Sequence, residues 1–189
     1  MKIKLIASDP GTKNYAISVV TLEKLGKKFS VTVHENGMIK ETVKGIKDSH
    51  LLKKELLQYV KKMKKLEKSH KPNALAAERF MTRGIKGPTV EYLNMMLGAL
   101  NTNTKLPIKL IPAVTWKVAI AREGIDLKAE YKKTKALPHQ VDATMIGIYV
   151  ALHGFKVKGF KDSGIKKLFP GIIKQIEKTS TSKLINRKT

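Results

Sequence analysis

Three acids stand where an ionised carboxylate is costly. Asp9 closes the apolar run IKLIAS, Glu78 closes ALAA, and Asp142 lies within the apolar stretch HQVDATMIGIYVAL. A carboxylate beside such segments must be paired, hydrogen-bonded or bound to a metal ion. His139 precedes Asp142 by three residues, on the same side of a helix. Brought together, the three acids form a set of oxygen ligands for Mg²⁺, and the imidazole is better tolerated by Mn²⁺. Two ions bridged by carboxylates orient and activate a water and stabilise the leaving oxygen of a cleaved phosphodiester. Taken singly, each acid has a plainer reading. Asp9 before Pro10-Gly11 is ordinary turn chemistry, Glu78 can pair with Arg79 or Arg83, and Asp142 can accept backbone amides at a helix start. Their joint placement at three element ends favours a shared site.

The elements that must position them are visible as periodic patterns. Residues 2–8 and 15–20 read as strands around the Pro-Gly turn, and 29–40 alternates like a third. Links this short make them antiparallel neighbours. Leu52, Leu56, Tyr59, Met63 and Leu66 recur at helical spacing over 49–69. Lysines 53, 54, 61, 62, 64, 65 and 68 fill much of the remaining surface, as a solvated face or a phosphate-facing one. Residues 74–78 read as a buried strand, 79–87 as a basic, glycine-containing loop, 88–101 as a helix and 106–111 as a fifth strand. If the strands at 2–8 and 74–78 are parallel neighbours, Asp9 and Glu78 emerge at one carboxyl edge, where α/β sheets build sites. The helix at 88–101 is apolar on two sides, Val90, Leu93, Leu97 and Leu100 on one and Tyr92, Met95, Met96 and Ala99 on the other. Such a helix is buried twice, against its own sheet and against a second layer or a homodimer partner. Trp116 is expected as a packing anchor. Residues 117–137 are polar and mixed, with no clear pattern, and Pro138 opens a last, strongly apolar helix over 139–152. A three-strand meander followed by helix–strand–helix–strand–helix predicts a mixed α/β sheet covered by helices.

Composition points to the partner. At 189 residues the chain suits one domain with a substantial core. It carries 38 Lys and Arg against 15 Asp and Glu, a formal +23. A polyanion relieves self-repulsion of that size, so nucleic acid is the leading partner and an anionic membrane surface the lesser one. The absence of Cys excludes a disulfide scaffold and a Cys-based zinc site and fits a reducing compartment. No segment approaches the roughly 18 apolar residues of a bilayer span. The strand-like run from Ile3 leaves no room for a signal or transit peptide. A cytoplasmic setting is therefore expected, and a bacterial, phage or organellar source fits the composition. Residues 155–189 hold ten Lys and Arg against Asp162 and Glu177 and end in STSKLINRKT. They are expected as a basic extension, partly disordered without its partner.

The run ASDPGTKNYAISVV, then ALAAERFM, then HQVDATMIGIYVAL, resembles the RuvC-type Holliday-junction resolvases of the RNase H-like superfamily, over most of residues 3–153. The ordered set is more specific than any one piece, above all H-x-x-D-A opening an apolar helix after a proline. The resemblance implies an RNase H-like fold, with a five-stranded mixed sheet in the order 3-2-1-4-5 flanked by helices. It implies two Mg²⁺ ions per site, with Mn²⁺ as a substitute, and a homodimer that nicks opposed strands of a four-way DNA junction. It makes Asp9, Glu78 and Asp142 metal ligands and puts His139 where many members have an acid and some a histidine. His139 is then a further ligand or an aid to proton transfer. The family's base-engaging aromatic falls near Phe80, and its dimer helix coincides with 88–101. Candidate nucleic-acid contacts are Lys13, Arg79, Phe80, Arg83, Lys86, Lys117, Lys128, Lys132 and Lys133. Residues 1–154 are then the nuclease domain, and 155–189 lie outside the common core.

The resulting expectation is a metal-dependent, structure-specific DNA endonuclease that resolves four-way junctions in recombination, repair or replication. Its rivals are an RNase H-like nuclease acting on RNA–DNA hybrids, branched or flap DNA, and a non-catalytic basic nucleic-acid-binding protein. A hybrid nuclease has no need of a dimer helix, and a non-enzyme has no cleavage to lose when Asp9 becomes Asn.

Overall fold

Alternating side chains on one strand divide the molecule into two layers. In a computed structural model describing residues 1–11, 14–26, 28–40, 49–79, 88–154 and 165–179, β1 (Lys2–Asp9) sends Ile3, Leu5 and Ala7 to one face and Ile6 to the other. On one side of it, β2 (Asn14–Leu25) and β3 (Lys28–Lys40) run antiparallel in turn. On the other, β4 (Ala74–Arg79) and β5 (Ile108–Pro112) add in parallel. The five-stranded mixed sheet therefore has the order β3-β2-β1-β4-β5, with β1 at its centre. β2 runs beyond the expected end at Val20, because pairing with β3 continues to Leu25 opposite Lys28. Gly26, at φ 61°, supplies the left-handed residue which that hairpin turn needs.

Two helices cover the face that bears Ile6. Tyr59, Val60, Met63 and Leu66 of α1 (Ser49–His70) and Tyr92, Leu93, Met96 and Leu100 of α2 (Pro88–Asn103) pack with Tyr15, Ile17, Val19 and Leu75. The two apolar sides of α2 are thus divided differently from the expectation. Tyr92 and Met96 join Leu93 and Leu100 in one core, while Met95 stays 46% exposed. The α1 lysines 53, 54, 61, 64, 65 and 68 are exposed.

The opposite face carries α3 (Ala113–Arg122), α5 (Pro138–Tyr149, continued by a π-helical turn at Val150–Gly154) and α6 (Ile165–Thr179). Between α3 and α5 lies the short α4 (Leu127–Lys133), whose first amides, Lys128 N at 3.0 Å and Ala129 N at 3.2 Å, donate to the Asp126 carboxylate. Most of the segment read as patternless at 117–137 is therefore helical. Nor is α5 the last helix. Within the stretch expected as a basic extension, Ile165, Phe169, Ile172 and Ile176 of α6 are buried in the same core as Leu5 and Trp116. The Gln175 side chain also bridges β3, accepting from Val33 N at 2.8 Å and donating to Val31 O at 3.1 Å. The core thus continues past residue 154. No described helix is long and apolar enough to cross a membrane.

Candidate active site

The parallel register of β1 and β4 brings the first two acids together. Ser8 pairs with Ala77, and the next residues along the two strands are Asp9 and Glu78. Both have the parity of residues facing α5, since Leu5, Ala7, Ala74 and Ala76 all belong to that core. The strand ends thus turn both carboxylates toward the helix that supplies Asp142.

Close packing sets where α5 lies. A Cβ on Gly147 would stand 2.6 Å from Val20 Cγ2 and 2.9 Å from Ala7 Cβ, so α5 rests against β1 and β2 at a distance only glycine permits. Buried hydrogen bonds fix its rotation. Thr144 donates to Ser18 Oγ at 2.8 Å, and Asn36 Nδ2 donates to Gln140 O at 3.0 Å and to Thr144 Oγ1 at 2.9 Å. At the N-terminus Pro138 begins the helix, and Gln140 Oε1 accepts from Leu137 N at 3.0 Å.

Each acid is engaged by a protein donor. His139 Nδ1 donates to Asp9 Oδ2 at 2.6 Å. Trp116 Nε1 donates to Glu78 Oε2 at 2.9 Å. Asp142 accepts from the Tyr131 hydroxyl on Oδ1 and from Lys117 Nζ on Oδ2, the latter at 3.1 Å. Asp9 and Asp142 are buried and Glu78 is half-buried. Beside them α3 and α4 enclose a groove of about 560 Å³, lined by Lys117, Ala121, Ile125, Leu127, Lys128 and Tyr131 among others.

No protein-family model matches the sequence, and no curated protein does. Solved structures do match. Thermus thermophilus RuvC in complex with a Holliday junction substrate aligns with a TM-score of 0.64 at 18% identity, covering 83% of this chain and 97% of that one. A second Thermus thermophilus RuvC structure aligns with a TM-score of 0.63 at 19% identity, covering 82% and 96%. This chain has the fold of RuvC.

On the RuvC fold these side chains carry a strained charge balance. Burial raises the pKa of Glu78, and the charges of Asp9 and Asp142 add to it, against the Trp116 hydrogen bond and Lys117. Burial likewise raises Asp142, helped by Asp9 and opposed by Tyr131 and Lys117. The bond to Asp9 raises the His139 imidazole despite partial burial. For Lys117, partial burial works against the ammonium, but Asp142, then Glu78 and Asp9, outweigh it and raise its pKa.

By ligand type, though not by spacing, the donor set suits a divalent cation. Three carboxylates offer the hard oxygen ligands that Mg²⁺ and Mn²⁺ take, and the ammonium of Lys117 already stands in their common field as a stand-in cation. Among the described residues, no group of three or more His, Asp or Glu is drawn close enough to cage an ion. The acids are held by their donors instead.

The remaining sequence candidates separate clearly. Arg79 is exposed at the end of β4, and Glu78 takes its hydrogen bond from Trp116. Lys128, Lys132 and Lys133 are all exposed; Lys128 lines the groove, and Lys133 pairs with Glu130 at 2.9 Å. Lys13, Phe80, Arg83 and Lys86 lie outside the described residues. Sequence reasoning missed Tyr131 and the donor role of Trp116. Trp116 is indeed fully buried as a packing anchor, and its indole N–H also meets the site. The available signal for Tyr131 was an aromatic amid the polar run between Trp116 and Pro138.

Proposed function

We propose that this protein is a metal-dependent DNA endonuclease that resolves four-way junctions by paired, symmetric nicks. The observation that carries the reading is that Asp9 and Glu78 end neighbouring parallel strands while Asp142 of α5 and the Lys117 ammonium lie within their electrostatic field. The RuvC fold and the formal charge of +23 support a branched, phosphate-rich substrate.

Asp9, Glu78 and Asp142 would hold Mg²⁺ or Mn²⁺, two ions per site, with His139 as a further ligand or an aid to proton transfer. When bound, the ions supply Lewis-acid stabilisation of the phosphoryl and leaving oxygens. Asp9 fixes the His139 ring through Nδ1, leaving Nε2 to take or give a proton. Lys117 and Lys128, lining the adjoining groove, draw the phosphate backbone toward the acids. Water attacks in line and leaves a 5′-phosphate and a 3′-hydroxyl. The protein acts as a homodimer through α2. Leu57 and Met95, 49% and 46% exposed, line an apolar groove of about 270 Å³ between α1 and α2 that a second copy would cover. A two-fold protein matches a near-two-fold junction, so two cuts fall symmetrically. Such an activity serves recombination, repair or replication.

The test is a synthetic mobile four-way junction in Mg²⁺ or Mn²⁺, with linear duplex, flap and RNA–DNA hybrid controls. Wild-type protein is expected to nick the junction in pairs, and Asp9→Asn to bind it without cutting. Wild-type protein that leaves the junction intact refutes the reading, and preferential cutting of the hybrid replaces it with the hybrid-nuclease one.

A further inference from the structure

Asp142 is gripped by two donors of different kind. The Tyr131 hydroxyl is neutral, belongs to a half-buried side chain on α4 and donates to Oδ1. The Lys117 ammonium is charged, belongs to α3 and meets Oδ2 at 3.1 Å. The carboxylate side chain is 9% exposed and the lysine side chain 46%, so the lysine reaches the site from solvent. Lys117 also lines the 560 Å³ groove beside the site, which gives its flexible stem somewhere to go. Its ammonium lies 5.0 Å from the ring centroid of Trp116, whose indole holds Glu78.

We propose that Lys117 keeps the place of a cation in the metal-free site, that an incoming divalent ion displaces it from Asp142, and that Tyr131 stays on Asp142 as a positioning residue. This inference rests on the reading of the acids as a metal site. An ammonium and a divalent ion on the same buried carboxylate repel each other, and the low local dielectric magnifies that repulsion, so ion binding favours moving the lysine away. The ammonium is the mobile partner, with an exposed stem and an open groove. The phenol is the compatible one. It carries no charge to oppose the ion, and its hydrogen bond keeps Asp142 oriented while the second oxygen changes partners. The displaced ammonium remains in the groove, where a phosphate of the substrate can take it. Ion loading therefore releases a cation for the backbone of the nucleic acid.

The two residues must then act on ion affinity with opposite sign, which loss of folding does not imitate. Mn²⁺ binding to the full chain is measured by calorimetry without nucleic acid, at fixed pH and ionic strength, for wild type, Lys117→Met, Lys117→Gln, Tyr131→Phe and Asp142→Asn. Both Lys117 variants are expected to bind Mn²⁺ about 10-fold more tightly, the size of effect that removing one nearby unit charge produces. Tyr131→Phe is expected to bind about 10- to 100-fold more weakly, with an unchanged melting temperature in the absence of metal. Unchanged or weaker binding by both Lys117 variants overturns the exchange, and unchanged binding by Tyr131→Phe overturns the positioning role. Wild-type binding that Asp142→Asn leaves intact, or no wild-type binding at all, refutes the metal-site reading itself and this inference with it.

Discussion

On one side of the sheet, α5 is buried from Gln140 to Ile148 and still carries Gln140, Asp142 and Thr144 inward. On the other side, α1 and α2 bury aliphatic, methionine and tyrosine side chains, with the Tyr15 and Tyr59 hydroxyls bonded to each other. The first layer spends its polar groups on orientation, through Ser18, Asn36 and Leu137 N, and needs Gly147 to reach the sheet. The second layer covers the sheet and leaves Leu57 and Met95 bare. Placing charge here takes a rigid, hydrogen-bonded layer, whereas covering the sheet leaves apolar surface for another partner.

The sharpest test of this division sets one substitution on each face side by side. Asp142→Asn is expected to reduce junction nicking by more than the roughly 100-fold that loss of a partner to a metal ligand costs, with junction binding and solution mass unchanged. Met95→Glu, in the α1–α2 groove, is expected to shift solution mass from dimer to monomer, read by light scattering, while the melting temperature stays within about 2 °C of wild type. If Met95→Glu instead abolishes metal binding at constant mass, the two faces are not functionally separate.

A smaller effect is expected where the rigid layer meets the site indirectly. Trp116→Phe keeps most of the buried ring and removes the N–H that holds Glu78 at 2.9 Å. Nicking is expected to fall about 10- to 100-fold with junction binding retained. Equal loss from Trp116→Phe and from a surface control such as Lys54→Gln would mean that the indole does not position the acid.

Smaller again is the packing term that seats α5. Gly147→Ala puts a methyl 2.6 Å from Val20 Cγ2 and 2.9 Å from Ala7 Cβ, and both sheet residues are buried. Overpacking of this kind costs about 1–3 kcal/mol, measurable in urea. Gly98→Ala on α2, where a Cβ meets nothing within 4 Å, is the matched control on the other face. It is expected to stabilise slightly through helix propensity, by up to about 1 kcal/mol.

How far the site could be read from sequence follows the same physics. Asp9, Glu78 and Asp142 are legible because each interrupts or ends an apolar run, and His139 because it precedes Asp142 by three residues. The meander and the alternating helices give a mixed sheet, whereas its strand order is implied by the family resemblance alone. Tyr131 and the Trp116 N–H were hidden because their roles depend on how α3 and α4 fold back over the sheet edge, which no local period records. The α6 stripe of Ile165, Phe169, Ile172 and Ile176 was masked by the basic residues around it. Its pattern is nevertheless ordinary helical spacing, carried by a segment whose net charge is that of a solvated extension. The division of α2 into a buried and a bare side depended on where α1 lies, a tertiary fact.

The smallest effect tests whether the charged edge is held against its own stability. Burial raises the Glu78 pKa, with Asp9 and Asp142 adding to it. A carboxyl with a folded pKa above its unfolded value binds more protons when folded, so stability falls as pH rises between the two values and stays lowered above them. Glu78→Gln removes that ionisation and keeps an oxygen for the Trp116 N–H. Without divalent ions at neutral pH, Glu78→Gln is expected to melt about 1–2 °C above wild type, a modest gain because Glu78 is partly solvated and screened. The gap should close as pH falls below the ordinary glutamate range, where wild type is protonated in both states. If the acids bind Mn²⁺ as proposed, excess Mn²⁺ reverses the order, since an ion bound to the native state would stabilise the wild-type fold and the amide is a poorer ligand. A variant that melts lower than wild type at neutral pH without metal would mean that the charge-assisted bond from Trp116 outweighs burial. The edge would then be a stabilising ion cluster, and the contrast between the two faces would lose its energetic basis.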